Sequence, residues 1–265
     1  MGITFSVIGA GSTTRKETPI NTLLQKKIIV ADVDETICET CQPISEEMAN
    51  KINDTIQKGY QWAFISGTDH QNLQKMLSKI TEDHHILATT GTNYVKIKKK
   101  QSTTIYNLAI TNDEKKEITN AFEKLITHFN IKSHTTKEDQ LQDRDSQITL
   151  SAIGRNANIE AKKQYDPDGI KRKEWIGYLK QHLSETKYDF KIGGTTSIDV
   201  TKKGLDKAWG IQQFASHHNI LLSDILFFGD KIYPGGNDYP ATKVVDCISV
   251  KSPQDTLNKL KILFP

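Results

Sequence analysis

Residues 26 to 36 read Lys-Lys-Ile-Ile-Val-Ala-Asp-Val-Asp-Glu-Thr, a β-branched apolar run that ends in two carboxylates, Asp32 and Asp34, one residue apart. Such a run predicts a strand buried on both faces of a parallel sheet, and in open α/β sheets ligands gather at the carboxyl ends of those strands. Two acids this close both stay ionised only if a cation lies between them or their duties differ. A bound Mg²⁺ meets that need, with Asp32 as a nucleophile toward phosphorus and Asp34 as the acid and base that moves the proton. Asp-x-Asp alone reads better as a strand followed by an acidic turn, so the rest of the chain has to decide between the two.

Downstream, Ser45 with Glu46 and Glu47 predicts the start of a helix that has Met48, Ile52 and Ile56 on its apolar face and stops at Gly59. A second buried strand, Trp62 to Ile65, ends in Ser66-Gly67-Thr68, where Ser66 can present a hydroxyl and Gly67 a backbone N–H to a phosphoryl oxygen. A helix bearing Leu73, Met76, Leu77 and Ile80 and a third strand, Ile86 to Thr89, continue the βα rhythm. From about residue 94 the pattern becomes strand, helix, strand, helix, strand, strand, which predicts an α+β domain inserted over 94–200. The lysine run Lys98-Lys-Lys100 reads as a solvated strand edge. After residue 200 the βα rhythm returns. Lys207 opens a helix, and the buried strand Ile225 to Phe228 runs into Gly229-Asp230 and then Asn237-Asp238.

Upstream, residues 1–25 contain Gly9-Ala-Gly11 without a third glycine, a weak nucleotide signal, and are expected to be a variable N-terminal extension. Their short apolar stretch has no basic leader, which predicts no secretory signal and a cytoplasmic location. The 265 residues carry 35 basic and 32 acidic side chains, a net charge of +3 that gives no reason to expect nucleic acid. With 36% hydrophobic residues and 25% charged, no run approaches the roughly 20 apolar residues of a membrane span. Cys38, Cys41 and Cys247 are an odd set that predicts reduced thiols. Cys38-Glu-Thr-Cys41 spells C-x-x-C, but without a second pair or a His at zinc spacing it reads as two free thiols.

Asp32-x-Asp34, Ser66-Gly67, Lys207 and Gly229-Asp230 with Asn237-Asp238 all fall at the carboxyl ends of predicted parallel strands. Phosphoryl transfer needs a nucleophile, a cation that bridges it to phosphoryl oxygen, further positive charge, and a proton donor for the leaving oxygen. Asp32, Mg²⁺ on Asp32 and Asp230, Lys207 and Asp34 fill these roles in turn. The metal set is drawn from Asp32, Asp34, Asp230, Asn237 and Asp238.

In these four motifs the sequence resembles the haloacid dehalogenase superfamily, over nearly everything after residue 26. More narrowly, Phe227-Phe-Gly-Asp-Lys-Ile-Tyr-Pro-Gly-Gly-Asn-Asp-Tyr239 and Ile192-Gly-Gly-Thr-Thr-Ser-Ile-Asp-Val200 resemble eukaryotic-type phosphomannomutases. The resemblance implies a Rossmann-like α/β core, 26–93 with 201–265, and an inserted C2b-type cap, 94–200. It also implies that Ser197 and Asp199 face a sugar, while Arg144 and Arg155 hold its phosphate or hydroxyls. Three positions depart from it: the arginine after the acidic motif falls on Cys41, a third cap arginine falls on Lys162, and Glu35 stands where the family has glycine. Lysine keeps a point charge but loses the paired donor fork, and cysteine is no cation. A mutase must hold a bisphosphate by its remote end, so these losses favour hydrolysis. The leading expectation is therefore a Mg²⁺-dependent phosphohydrolase of a small sugar phosphate, with a phosphomannomutase-type hexose-phosphate mutase as the alternative and a non-catalytic sugar-phosphate sensor third. The sequence leaves the oligomeric state open, with a homodimer among the options.

Overall fold

The run after Lys27 forms a four-residue strand whose side chains are all buried. The computed structural model of the chain describes residues 2–265. Its strands are β1 (Thr4–Ile8), β2 (Arg15–Pro19), β3 (Ile28–Ala31), β4 (Gln61–Ile65), β5 (His84–Ala88), β6 (Asn93–Lys98), β7 (Gln101–Asn107), β8 (Leu141–Asp143), β9 (Gln147–Ser151), β10 (Tyr188–Gly193), β11 (Ser197–Lys202), β12 (Ile225–Gly229) and β13 (Asp246–Ser249). One sheet has the order β2-β1-β13-β12-β3-β4-β5-β6-β7 and another the order β10-β11-β9-β8. β13, β12, β3, β4 and β5 run parallel, so their carboxyl ends lie together, and β1, β2, β6 and β7 complete the sheet antiparallel. The α/β expectation holds.

Alternation along β3 and β4 divides the core. Ile29, Ala31, Trp62 and Phe64 face the helices Glu46–Gln57 and Pro253–Leu263, while Ile28, Val30, Ala63 and Ile65 face the helix Lys207–His218. These helices begin where local chemistry allows. Ser45 Oγ accepts the Met48 N–H at 3.2 Å, and Ser252 Oγ accepts the Asp255 N–H at 3.2 Å with Pro253 in the first turn. Among the described residues no helix is long and apolar enough to cross a membrane.

Two regions differ from the sequence expectation. Within 1–25, β1 and β2 form a hairpin that pairs with β13 and buries Phe5 and Val7. Five-residue strands at a sheet edge carry too few apolar residues to stand out from a polar extension. Residues 94–107 run in the large sheet as β6 and β7, and do not belong to the insertion. The chain divides into one unit of residues up to Asn107 with Asp206–Pro265, and a second, Leu108–Leu205.

In the second unit the helices Asn112–His128 and Ile170–Leu179 cover one face of the small sheet through Ile118, Phe122, Leu125, Trp175 and Leu179, packed on Ile148, Leu150, Ile198 and Val200. The period-two alternation sends Gln147, Thr149 and Ser151 of β9, and Ser197 and Asp199 of β11, to the other face.

Candidate active site

Asp32 directly follows β3 and keeps its backbone in the ladder, donating its N–H to the Phe228 carbonyl at 2.9 Å. The side chain is buried, facing the ammonium of Lys207 at 2.6 Å. Lys207 is the first residue of its helix, placed by Asp206, whose carboxylate accepts the Trp209 N–H at 3.0 Å. One turn on, Gly210 lets that helix reach the end of β5: a Cβ on Gly210 would lie 2.6 Å from the Thr90 carbonyl, and one on Gly91 2.5 Å from the Gly210 Cα. Thr89 and Thr90 take left-handed backbone, φ 46° and 64°, to make this approach. They are tied to the neighbouring strand end, where Thr90 N–H bonds the Ser66 carbonyl at 2.8 Å and Thr89 N–H the Thr68 carbonyl at 3.1 Å.

Lys207 Nζ also lies 2.5 Å from Asp238 Oδ1, and the other oxygen of Asp238 accepts the Lys231 N–H at 3.0 Å. Both oxygens of Asp238 are thus engaged by the protein, which makes Asp238 an anchor for Lys207 and the Asp230–Lys231 turn. Carboxylate oxygens of Asp32, Asp230 and Asp238 lie within 4.8 Å of one another. Asp230 Oδ1 and Asn237 Oδ1 are buried without a hydrogen-bond partner among the described residues. Burial first, then the charge of Asp238, pushes the Asp32 carboxyl well above the usual range against the pull of Lys207. Burial likewise raises Asp230, Lys231 opposing it and Asp238 adding to it. Crowded carboxylates and orphaned oxygens are what a hard divalent cation satisfies, so Asp32 and Asp230 fit a cation such as Mg²⁺, and the orphaned Asn237 oxygen is a candidate further donor.

Asp34 turns elsewhere. Its Oδ1 accepts the Cys41 N–H at 2.8 Å and its Oδ2 the Ser66 hydroxyl at 3.4 Å, so its carboxylate stands outside the cluster of Asp32, Asp230 and Asp238, beside the hydroxyl. Ser66 Oγ in turn accepts the Thr68 N–H at 3.0 Å, and Gly67 sits between them. Glu35 and Cys41 both have left-handed backbone, φ 60° and 59°. That explains a family glycine at position 35, and Glu35 offsets the strain by accepting the Thr40 N–H at 3.0 Å and the Thr40 hydroxyl.

In the second unit Asp199 accepts the Thr149 hydroxyl at 2.7 Å, and Ser151 and Ser197 hydroxyls lie 3.1 Å apart. Gly193 leaves room for this, since a Cβ there would stand 2.7 Å from Asp199 Oδ2. Burial raises the Asp199 carboxyl although the charge of Arg144 pulls the other way. Arg144 holds Gln142 Oε1 through Nη2 at 2.7 Å. The Arg155 carbonyl accepts Lys162 Nζ at 2.9 Å, so the buried Lys162 braces the Arg155 loop. Thr149, Asp238 as the Lys207 anchor and Lys231 escaped the sequence reading.

The protein-family model for eukaryotic phosphomannomutase matches residues 48–265, beginning after the Asp32 strand. Phosphomannomutase of Arabidopsis thaliana is 29% identical over 89% of this chain and 96% of its own length, and that of Schizosaccharomyces pombe 26% over 90% and 95%. Among solved structures, a truncated Plasmodium falciparum IMP-nucleotidase matches with a TM-score of 0.67 and 19% identity, over 92% of this chain and 72% of that one. A Bacteroides thetaiotaomicron protein described among phosphatases of the haloalkanoate dehalogenase superfamily matches with a TM-score of 0.57 and 15% identity, over 89% and 94%. At these identities the two structures speak for the fold, and the sequence relatives for something narrower. On a haloacid-dehalogenase-type α/β core, with the family model matched from Met48 to the last residue, the chain belongs to the eukaryotic phosphomannomutase family.

Proposed function

We propose that the protein moves a phosphoryl group between hydroxyls of a hexose phosphate through Asp32, as a phosphomannomutase-type mutase. The phosphoryl chemistry is supported by Lys207 held between Asp32 and Asp238, with Asp230 Oδ1 and Asn237 Oδ1 lacking partners among the described residues and Asp34 and Ser66 paired alongside, and the observation that favours a mutase is the match to the phosphomannomutase family. Asp32 and Asp230, with the orphaned oxygen of Asn237, would hold a Mg²⁺ ion, which would supply positive charge against the phosphoryl oxygens and relieve the repulsion on Asp32. The Asp32 carboxylate attacks phosphorus and becomes the acyl phosphate. Asp34 hands a proton to the departing sugar oxygen and takes one from the hydroxyl that later receives the phosphoryl group. The Ser66 hydroxyl, on turning from Asp34, and the Gly67 N–H would offer donors to the transferring oxygens, and Lys207 keeps Asp32 in its attacking orientation. Residues Leu108–Leu205 act as the cap, with Arg144, Arg155, Ser197 and Asp199 reading the sugar. Three unbridged cysteines support a reducing, cytoplasmic setting.

Hydrolysis of the same substrates is the second reading, favoured by Cys41, which brings no charge, and by Lys162, whose ammonium is committed to the Arg155 carbonyl. One reaction separates them: hexose 1-phosphate primed with hexose 1,6-bisphosphate, with isomerised product and free phosphate measured together. The mutase reading expects isomerised product in excess, and an excess of free phosphate replaces it with the hydrolase. Cys41→Arg with Lys162→Arg should shift the ratio further toward isomerisation.

A further inference from the structure

Lys231 stands directly after the Asp230 of the cluster, and its ammonium lies 3.5 Å from Asp230 Oδ2. That is longer than the 2.7 to 2.9 Å of a close charge-assisted bond, so the pairing is exchangeable. The Lys231 side chain is 33% exposed, whereas Lys207, clasped by two carboxylates, is 1% exposed. The turn that carries Lys231 is fixed: its N–H is bound to Asp238, and its carbonyl lies 2.0 Å from where a Cβ on Gly236 would sit. A phosphoryl dianion entering here meets the carboxylates of Asp32, Asp230 and Asp238. It needs a cation with donors to spare, and Lys207 already commits two of its three ammonium donors to Asp32 and Asp238.

We propose that Lys231 binds the phosphoryl group, competing with the divalent cation for Asp230 and serving the phosphoryl oxygens once that cation holds Asp230. This rests on the phosphoryl-transfer reading above. The two duties have opposite signatures. Removing a lysine that competes for a metal ligand tightens metal binding, while removing a lysine that holds an oxyanion weakens oxyanion binding.

The test is calorimetric titration of Mg²⁺ into the metal-free protein, and of orthovanadate into the Mg²⁺-saturated protein, for wild type, Lys231→Met, Lys231→Gln and Lys231→Arg. Lys231→Met and Lys231→Gln should bind Mg²⁺ at least as tightly as wild type and vanadate about tenfold or more weakly, with Lys231→Arg recovering most of the vanadate affinity. Weaker Mg²⁺ binding with vanadate unchanged assigns Lys231 to loop support and overturns the inference, as does no change in either. Should Lys231→Met not fold, Lys231→Gln gives the same reading at nearly constant length. Wild type that takes up neither ion overturns the phosphoryl-transfer reading and this inference with it. Uptake of both ions by wild type, with unaltered variants, overturns this inference alone.

Discussion

Asp32 and Asp34 differ in surroundings, and that is what divides their work. Asp32 is buried against Lys207 among other carboxylates, while Asp34 is held by the Cys41 N–H beside the Ser66 hydroxyl. Asp32→Asn should abolish turnover while circular dichroism and the melting curve stay close to wild type, because the change removes a nucleophile and a charge but almost no volume. Asp34→Asn should slow turnover by roughly 10²–10⁴, the usual worth of a proton-transferring group. Steady-state assays of both variants check this, and near-normal turnover of Asp32→Asn ends the covalent mechanism. Asp32, Ser66, Lys207 and Asp230 were legible in the sequence because phosphoryl chemistry demands those residue types at strand ends. Asp238 as the anchor of Lys207 was not, because it depends on a pairing across 31 residues. Lys231 was hidden because a lysine after an acid reads equally as a solvated charge.

The helix Lys207–His218 is positioned at both ends. Near its start Gly210 lies against Thr90 and Gly91, and near its finish His218 Nε2 lies 2.6 Å from the Tyr94 hydroxyl, which is also 2.7 Å from His85 Nδ1. Gly210→Ala should destabilise by about 1–3 kcal/mol in urea melts, because the new methyl meets backbone that cannot swing away. Gly177→Ala, in the helix Ile170–Leu179 with nothing within 4 Å of the added Cβ, should instead stabilise by up to about 1 kcal/mol. Opposite signs are the expectation, and equal effects would show that the close approach carries no constraint. At the far end, burial first and then the charges of His218 and Lys96 hold His85 down to about 3. The unfolded chain therefore binds the extra proton between about pH 6.5 and pH 3. Stability should fall on acidification through that window by up to about 1.4 kcal/mol per unit. Melts of His85→Phe should show a shallower slope there, and an unchanged slope would remove His85 from the account. Buried parallel strands such as β3 and β4 were readable because each is an unbroken apolar run. β6 and β7 were misplaced because a half-exposed alternating strand looks the same whichever sheet receives it.

For the molecule as a whole, the crowding of Asp32, Asp230 and Asp238 makes cation binding a matter of stability as well as chemistry. A cation bound only by the folded state adds about 2.7 kcal/mol at one hundred times its Kd, so millimolar Mg²⁺ should raise the melting temperature of wild type by roughly 5–10 °C. Asp230→Asn should lose most of that shift, and an equal shift in the variant would place the cation elsewhere. The order of strands in the large sheet has a further consequence, for the order in which the protein is made. β3, which carries Asp32, has β12 as one neighbour, and β1 has β13, so residues near the start of the chain wait for partners made more than 190 residues later. Residues Leu108–Leu205 form an uninterrupted unit with their own apolar core, complete before β12 leaves the ribosome. The second unit can therefore fold during synthesis, while the nucleophile's own sheet closes only after translation has passed β13. Until β12 is made, the edge of β3 that will pair with it is bare, an invitation to mispairing and to chaperones.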